Sequence, residues 1–212
     1  MQTVLIANPK GGSGKTTLAT NLAGYFASRG GRVLLVDLDR QRSASDWLGR
    51  RPESLPAIRG WNNQLDKKAM GATRPDWLVV DSPAGMHGDK LTNALKRAER
   101  VIVPVQPSAF DMEATRNFLE ELRAEKSVRK EKIKVAMIGM RVDARTRAAA
   151  DLSAFLDEAG FPVLTLLRDA QIYVQAAGEG LSLFDMAPSR AAREMEQWQP
   201  LLDWLDESLS TD

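Results

Sequence analysis

The chain has 212 residues, 43% of them apolar and 27% charged, with a formal net charge of +1. That is the composition of a soluble globule with a substantial core, and it excludes a global positive field that would draw the chain onto nucleic acid. The sequence holds no cysteine, which excludes a disulfide scaffold and an iron–sulfur centre, and no apolar run approaches the ~20 residues that cross a bilayer.

The first predicted strand covers 3–8 and is built on Val4-Leu5-Ile6-Ala7. It starts so early that no leader segment is expected. Residues 9–17 follow as Pro-Lys-Gly-Gly-Ser-Gly-Lys-Thr-Thr. The pattern G-x-x-x-x-G-K-[ST] would require glycine at position 9, where Pro9 stands, so the match is to a deviant phosphate loop, Lys10 to Thr17, with two lysines. Gly11, Gly12 and Gly14 let the backbone approach phosphate oxygens with no Cβ in the way. Their N–H groups, that of Ser13 between them, and the positive end of a helix predicted over 15–29 favour negative charge. Lys15 is expected to reach the β- and γ-phosphates, the Thr16 hydroxyl to ligate Mg2+, and Thr17 to cap the α-phosphate side.

A second buried strand is predicted over 32–37 and runs into Asp37-Leu38-Asp39-Arg40-Gln41. Aspartates two apart share a face of an extended strand, and carboxylates at a strand end beside a phosphate site suit Mg2+ and water. A helix is predicted over 43–49, then a variable stretch framed by Arg50-Arg51-Pro52 and Arg74-Pro75-Asp76, with a helix near 61–70. The next strand, 77–81, ends in Asp81 and reads as a Walker B strand whose aspartate holds Mg2+. Ser82-Pro83-Ala84-Gly85 is then the loop expected to sense the γ-phosphate. His87, the only histidine, is expected to be a solvated loop residue.

Further helices are predicted over 89–98, 111–126, 146–159 and 189–208, alternating with strands at 100–104, 133–140 and 162–166. This alternation predicts an α/β chain, a single domain over 1–212 with the P-loop NTPase fold, its mostly parallel sheet covered by helices on both faces. Right-handed crossovers would bring all three phosphate-facing motifs to one sheet edge.

Taken together, Lys10 to Thr17, Asp37-Leu38-Asp39 and the strand ending in Asp81 resemble the deviant Walker ATPases of the ParA/MinD family. Val101-Ile102-Val103-Pro104-Val105-Gln106-Pro107-Ser108 is similar to that family's V-x-P-x-x-P-S loop. The resemblance implies an ATPase using ATP and Mg2+. It implies that Lys10 is the signature lysine, reaching the nucleotide of a partner copy in an ATP-dependent homodimer. It assigns Asp39 to the attacking water, with Asp37 supporting the Mg2+ shell, and counts Lys10, Lys15 and Asp39 as the catalytic set. Pro107 would lie near the nucleotide and Arg141 near the adenine. The family usually has proline where this chain has Arg40, which makes the conformation of that loop a point to examine.

With the first predicted strand starting at Thr3, just after Met1-Gln2, the resemblance is expected to be to small ParA-type proteins without an N-terminal DNA-reading domain. By resemblance, Arg168, Arg190 and Arg193 stand where ParA proteins place cations for nonspecific DNA contact. The implied cycle is an ATP dimer that holds DNA until a ParB-like adaptor or another partner stimulates hydrolysis. Such a cycle segregates a plasmid or positions a cargo, in a cytoplasmic, nucleoid-associated protein. MinD relatives instead carry a basic amphipathic helix at the C-terminus. Here Gln199 to Leu209 has leucines and Trp204 but only acidic charges, so this tail is expected to pack on the domain and no membrane contact is expected. The alternative is a MinD-like or scaffold ATPase acting on a protein partner or membrane without touching DNA.

Overall fold

The computed structural model describes residues 1–62 and 74–207. Seven strands form one sheet: β1 (Gln2–Ile6), β2 (Val33–Asp37), β3 (Ile58–Asn62), β4 (Trp77–Asp81), β5 (Arg100–Val105), β6 (Lys134–Val142) and β7 (Val163–Arg168). Their order is β3-β2-β4-β1-β5-β6-β7 and every pairing is parallel. The predicted α/β fold with its parallel sheet is therefore the observed one.

Side chains alternate along the central strand as a period of two requires. Val4 and Ile6 join a core with α1 (Lys15–Ser28), α2 (Ser43–Arg50), α7 (Gln171–Gly178) and α8 (Pro188–Asp206). Leu5 and Ala7 face the other way, into a core with α3 (Gly88–Leu95), α4 (Ala109–Ala124) and α6 (Arg147–Glu158). A four-residue helix, α5 (Lys126–Arg129), follows α4. Within the first core the Phe26 and Trp77 rings stack with centroids 3.7 Å apart.

Two expectations change. The helix placed near 61–70 begins on Trp61 and Asn62, which belong to edge strand β3, paired in register from Val33↔Ile58 to Asp37↔Asn62; its remainder lies outside the described residues. β3 is held by packing as well as by β2, because a Cβ on Gly60 would stand 2.5 Å from Leu48 Cδ2 of α2. Helix α7 was not expected; only its Ala176 is buried, so it carries almost no apolar period to read.

The C-terminal helix packs as its apolar stripe requires. Ala191, Trp198, Leu201, Leu202 and Leu205 are all buried against the sheet's first face. Arg29 ties the helix end to α1 by reaching Tyr25 Oη and Asp206, and the Arg100 guanidinium lies over the Trp204 ring, 4.7 Å from its centroid.

Candidate nucleotide site

Parallel pairing sends the carboxyl ends of β1, β2, β4, β5 and β6 to one edge, and the loops that follow them meet there. The loop after β1 is fixed from beneath by Asn8, which is fully buried. Its Nδ2 donates to the Pro104 carbonyl at 2.7 Å and to Thr115 Oγ1 of α4 at 2.9 Å, while its Oδ1 accepts from Lys10 N at 2.8 Å. Sequence reasoning passed over Asn8, whose partners lie about a hundred residues away. Gly12 and Gly14 adopt left-handed backbone angles, φ 78° and φ 100°. Gly14 is doubly constrained, since a Cβ there would stand 2.7 Å from Met140 Cε on β6. Gly11 is exposed at the rim and Thr17 is half-buried in the first helical turn. The Gln106 amide donates to the Gly12 carbonyl, which places the loop carrying half-buried Pro107 against the glycines.

Lys15 is buried and curls back over the loop. Its ammonium donates to the Lys10 carbonyl at 2.7 Å and to Ser13 Oγ at 3.4 Å. Burial lowers its pKa, and the charges of Asp81 and Asp39 act in the opposite sense. Lys10 is half-buried, and its ammonium enters no ion pair among the described residues.

Asp81 sits beneath the glycine loop and is 1% exposed. Thr16 Oγ1 donates to its Oδ2 at 2.7 Å, whereas its Oδ1 is buried without a hydrogen-bond partner. Burial pushes its pKa up to about 7; the Thr16 hydrogen bond lowers it and the Asp37 charge raises it further. An unpartnered buried carboxylate oxygen beside a threonine hydroxyl is a donor set suited to a hard divalent cation. Among the described residues no group of three or more acidic, histidine or cysteine side chains could hold a metal alone. A cation here would therefore draw its remaining ligands from phosphate and water, as Mg2+ does.

Asp37 is buried, and its hydrogen bonds go to protein. Oδ1 accepts from Asp39 N at 3.0 Å, and Oδ2 accepts from Ser45 N at 2.8 Å and Ser45 Oγ at 3.0 Å. Here the residue builds the turn between β2 and α2. Asp39 follows β2 and is half-buried; its Oδ1 accepts from Gln41 N at 3.0 Å, and its charge acts on Lys15 and Asp81. The loop after β4 has three anchors. Ser82 N donates to the Ile6 carbonyl at 3.2 Å, Gly85 N to the Pro9 carbonyl at 2.8 Å, and Gly88 N to Glu121 Oε1 of α4 at 2.6 Å. His87 is half-exposed, as expected, and its Nδ1 lies 3.0 Å from Glu121 Oε2.

Beyond the glycine loop, β6 continues through Arg141 instead of ending at 140, with a bulge between Gly139 and Val142. Arg141 itself has φ 53° and is exposed. Next to it opens a cavity of about 700 Å³ between the ends of β6 and β7, lined by Asp143, Arg145, Arg168, Arg193 and Gln197 among others. The three expected DNA contacts lie around this end of the sheet but differ in what they touch. Arg168 donates through its Nε to Glu194 Oε1 at 2.6 Å and forms an ion pair with that buried carboxylate. Arg193 lines the cavity, while Arg190 lies exposed one turn earlier on α8.

The family described as "CobQ/CobB/MinD/ParA nucleotide binding domain" matches residues 4–184. The chain is 27% identical over 199 residues to the Maintenance of carboxysome distribution protein A of Halothiobacillus neapolitanus, covering 91% of each chain. It is 35% identical over 156 residues to the Chromosome-partitioning ATPase Soj of Thermus thermophilus, covering 57% of this chain and 62% of that one. Among solved structures, the ATP complex of a Cyanothece McdA variant superposes with a TM-score of 0.72 at 17% identity, covering 100% of this chain and 97% of the other.

Proposed function

The chain belongs to the CobQ/CobB/MinD/ParA nucleotide-binding family, and from that membership we propose that it hydrolyses ATP in a ParA-like positioning cycle. One contact supports this most: Thr16 on Asp81, with the second Asp81 oxygen left free beneath the glycine loop. Lys15 binds the β- and γ-phosphates once they replace the Lys10 carbonyl as its partner. The backbone of Gly11 to Thr17 cradles the chain of phosphates. Thr16 and Asp81 would hold Mg2+, which supplies charge neutralisation at the phosphates, and Asp37 supports that shell through the turn it builds. Asp39 orients the attacking water. Arg141, at the end of β6, lies beside the base, and Pro107 lies near the nucleotide.

Lys10 completes the proposal. Its backbone is held by Asn8 and by Lys15, so its ammonium can reach a second subunit without reshaping the loop. Two subunits then close over their nucleotides, and pairing depends on the γ-phosphate. The closed dimer holds nonspecific DNA through Arg190 and Arg193, with Arg168 behind them, until a partner protein stimulates hydrolysis. The site of action is the cytoplasm, over the nucleoid, and no described helix is long and apolar enough to cross a membrane. Retention on nonspecific duplex should require ATP and Mg2+ and fall steeply as salt is raised. Absence of ATP-dependent retention at low salt would contradict the DNA step.

The Arg168–Glu194 pair favours a second reading. A committed guanidinium leaves a smaller patch, as expected of an ATPase that positions a protein scaffold and touches no DNA. An ATP-dependent dimer that binds no duplex would select it.

A further inference from the structure

Helix α8 buries a stripe of Ala191, Trp198, Leu201, Leu202 and Leu205, the spacing of one helical face. Glu194 lies on the same stripe, one turn before Trp198, and is 2% exposed. A carboxylate at such a position must be matched by a cation, and Arg168 at the end of β7 matches it. Arg168 Nε donates to Glu194 Oε1 at 2.6 Å, and Nη2 reaches the same oxygen. The helix is locked in that register. Gln197 Oε1 accepts from Arg168 N at 3.2 Å, the Gln197 carbonyl accepts from Thr165 Oγ1 at 2.7 Å, and Trp198 Nε1 donates to Tyr173 Oη of α7 at 2.9 Å. Arg168 shares the lining of the cavity between the ends of β6 and β7 with Arg145 and Arg193. Of these three, Arg193 alone enters no ion pair among the described residues. The other two pairs differ in kind. Arg145 and its partner Asp143 are both exposed, so water can solvate either if the pair opens. A phosphate that took Arg168 would strand a buried carboxylate, which costs more than one surface phosphate contact contributes.

We infer that Glu194 limits the DNA affinity of this chain: it withholds the Arg168 guanidinium from backbone phosphates and leaves the hold to exposed Arg190 and Arg193. Each phosphate a protein neutralises tightens binding and steepens its salt dependence. Holding one guanidinium back makes the grip weaker and less salt-steep than the sequence suggests, and easier to release when the dimer opens. Glu194 touches no phosphate itself and acts through Arg168.

This inference rests on the DNA reading above, and the experiment tells their failures apart. Retention of the full chain on a nonspecific duplex is measured with ATP and Mg2+ across a salt series. The parent is compared with Glu194→Gln, Glu194→Leu, the double variant Glu194→Gln with Arg168→Gln, and Asp169→Asn. Glu194→Leu completes the apolar stripe and the double variant removes both charges of the pair, so neither depends on a stranded carboxylate to fold. Both Glu194 single variants should bind roughly fivefold or more tightly than the parent, with the slope of log affinity against log salt steeper by about 1. The double variant should return to the parental affinity and slope. Asp169→Asn removes an exposed carboxylate from the same cavity without releasing an arginine, and should change retention by less than about twofold. Parental affinity and slope in both Glu194 single variants would overturn the inference. So would a gain that survives in the double variant, or one that Asp169→Asn reproduces in full. A parent and a Glu194→Gln chain that both pair with ATP yet ignore duplex at low salt would instead strike the DNA reading itself.

Discussion

The glycine-loop wall and the side of the molecule formed by the end of α2, β7, the turn at 183–185 and α8 are both rich in charge, yet they use it differently. Around the glycine loop two of the motif charges find partners nearby in sequence: Lys15 reaches back five residues to the Lys10 carbonyl, and Asp37 reaches forward eight to Ser45, while Asn8, Thr16 and Gln106 reach across the fold. Its charged groups line a common mouth. On the other wall, charges are consumed in pairs between distant segments. Arg51 meets Asp185 across 134 residues through two hydrogen bonds, at 2.8 and 2.9 Å, and Arg168 meets Glu194 across 26. A motif read along the chain reports the first kind of chemistry faithfully. It overestimates the second, because a basic residue's partner is chosen by the fold.

The sharpest way to test that contrast is to break each wall separately. Arg51 and Asp185 are almost fully buried, their side chains 4% and 1% exposed, so Arg51→Ala leaves a buried carboxylate unpaired. It should lower unfolding stability by about 3–5 kcal/mol in chemical denaturation; a change under about 1 kcal/mol would show the pair to be dispensable. Burial pushes the Asp185 carboxyl up, but the Arg51 and Ser182 hydrogen bonds outweigh it and hold its pKa below the ordinary value. Its stabilisation is therefore fully present above the unfolded-state value of about 4 and is lost as pH falls through the folded-state value. In Asp185→Asn that part of the acid sensitivity should vanish.

Lys15→Ala acts on the other wall. It should weaken nucleotide binding on the order of 100-fold, the worth of charge-assisted contacts to two phosphates, while leaving the thermal midpoint close to the parent's. Retained ATP affinity would remove Lys15 from the site. The smallest effect is expected from Arg190→Glu combined with Arg193→Glu. DNA retention should fall by roughly tenfold or more, and the slope of log affinity against log salt should drop by about 2, without loss of ATP hydrolysis. Full retention with an unchanged slope would move the DNA surface elsewhere.

Much of the architecture was legible because buried parallel strands read as continuous apolar runs, and six of the seven did so. β3 did not: Ile58-Arg59-Gly60-Trp61-Asn62 has a glycine at its centre and depends on β2 and Leu48 for its shape. The three phosphate-facing motifs were recognisable because each carries its chemistry within a few residues of a strand end. Asn8 was not, since its value lies in reaching Pro104 and Thr115. Nor was the engagement of Asp37 with Ser45, because a carboxylate looks the same in sequence whether it faces a metal or a helix N-terminus. The loop at Arg40 resolved differently: proline proved unnecessary to the turn because Asp39 supplies the closing hydrogen bonds.

Sedimentation with saturating ATP and Mg2+, compared with ADP, tests the central claim most directly. The account predicts a dimer with ATP and a monomer with ADP for the parent chain, and a monomer in both for Lys10→Ala with its ATP affinity intact. A parent chain that stays monomeric in ATP, or a Lys10→Ala chain that still pairs, would contradict it.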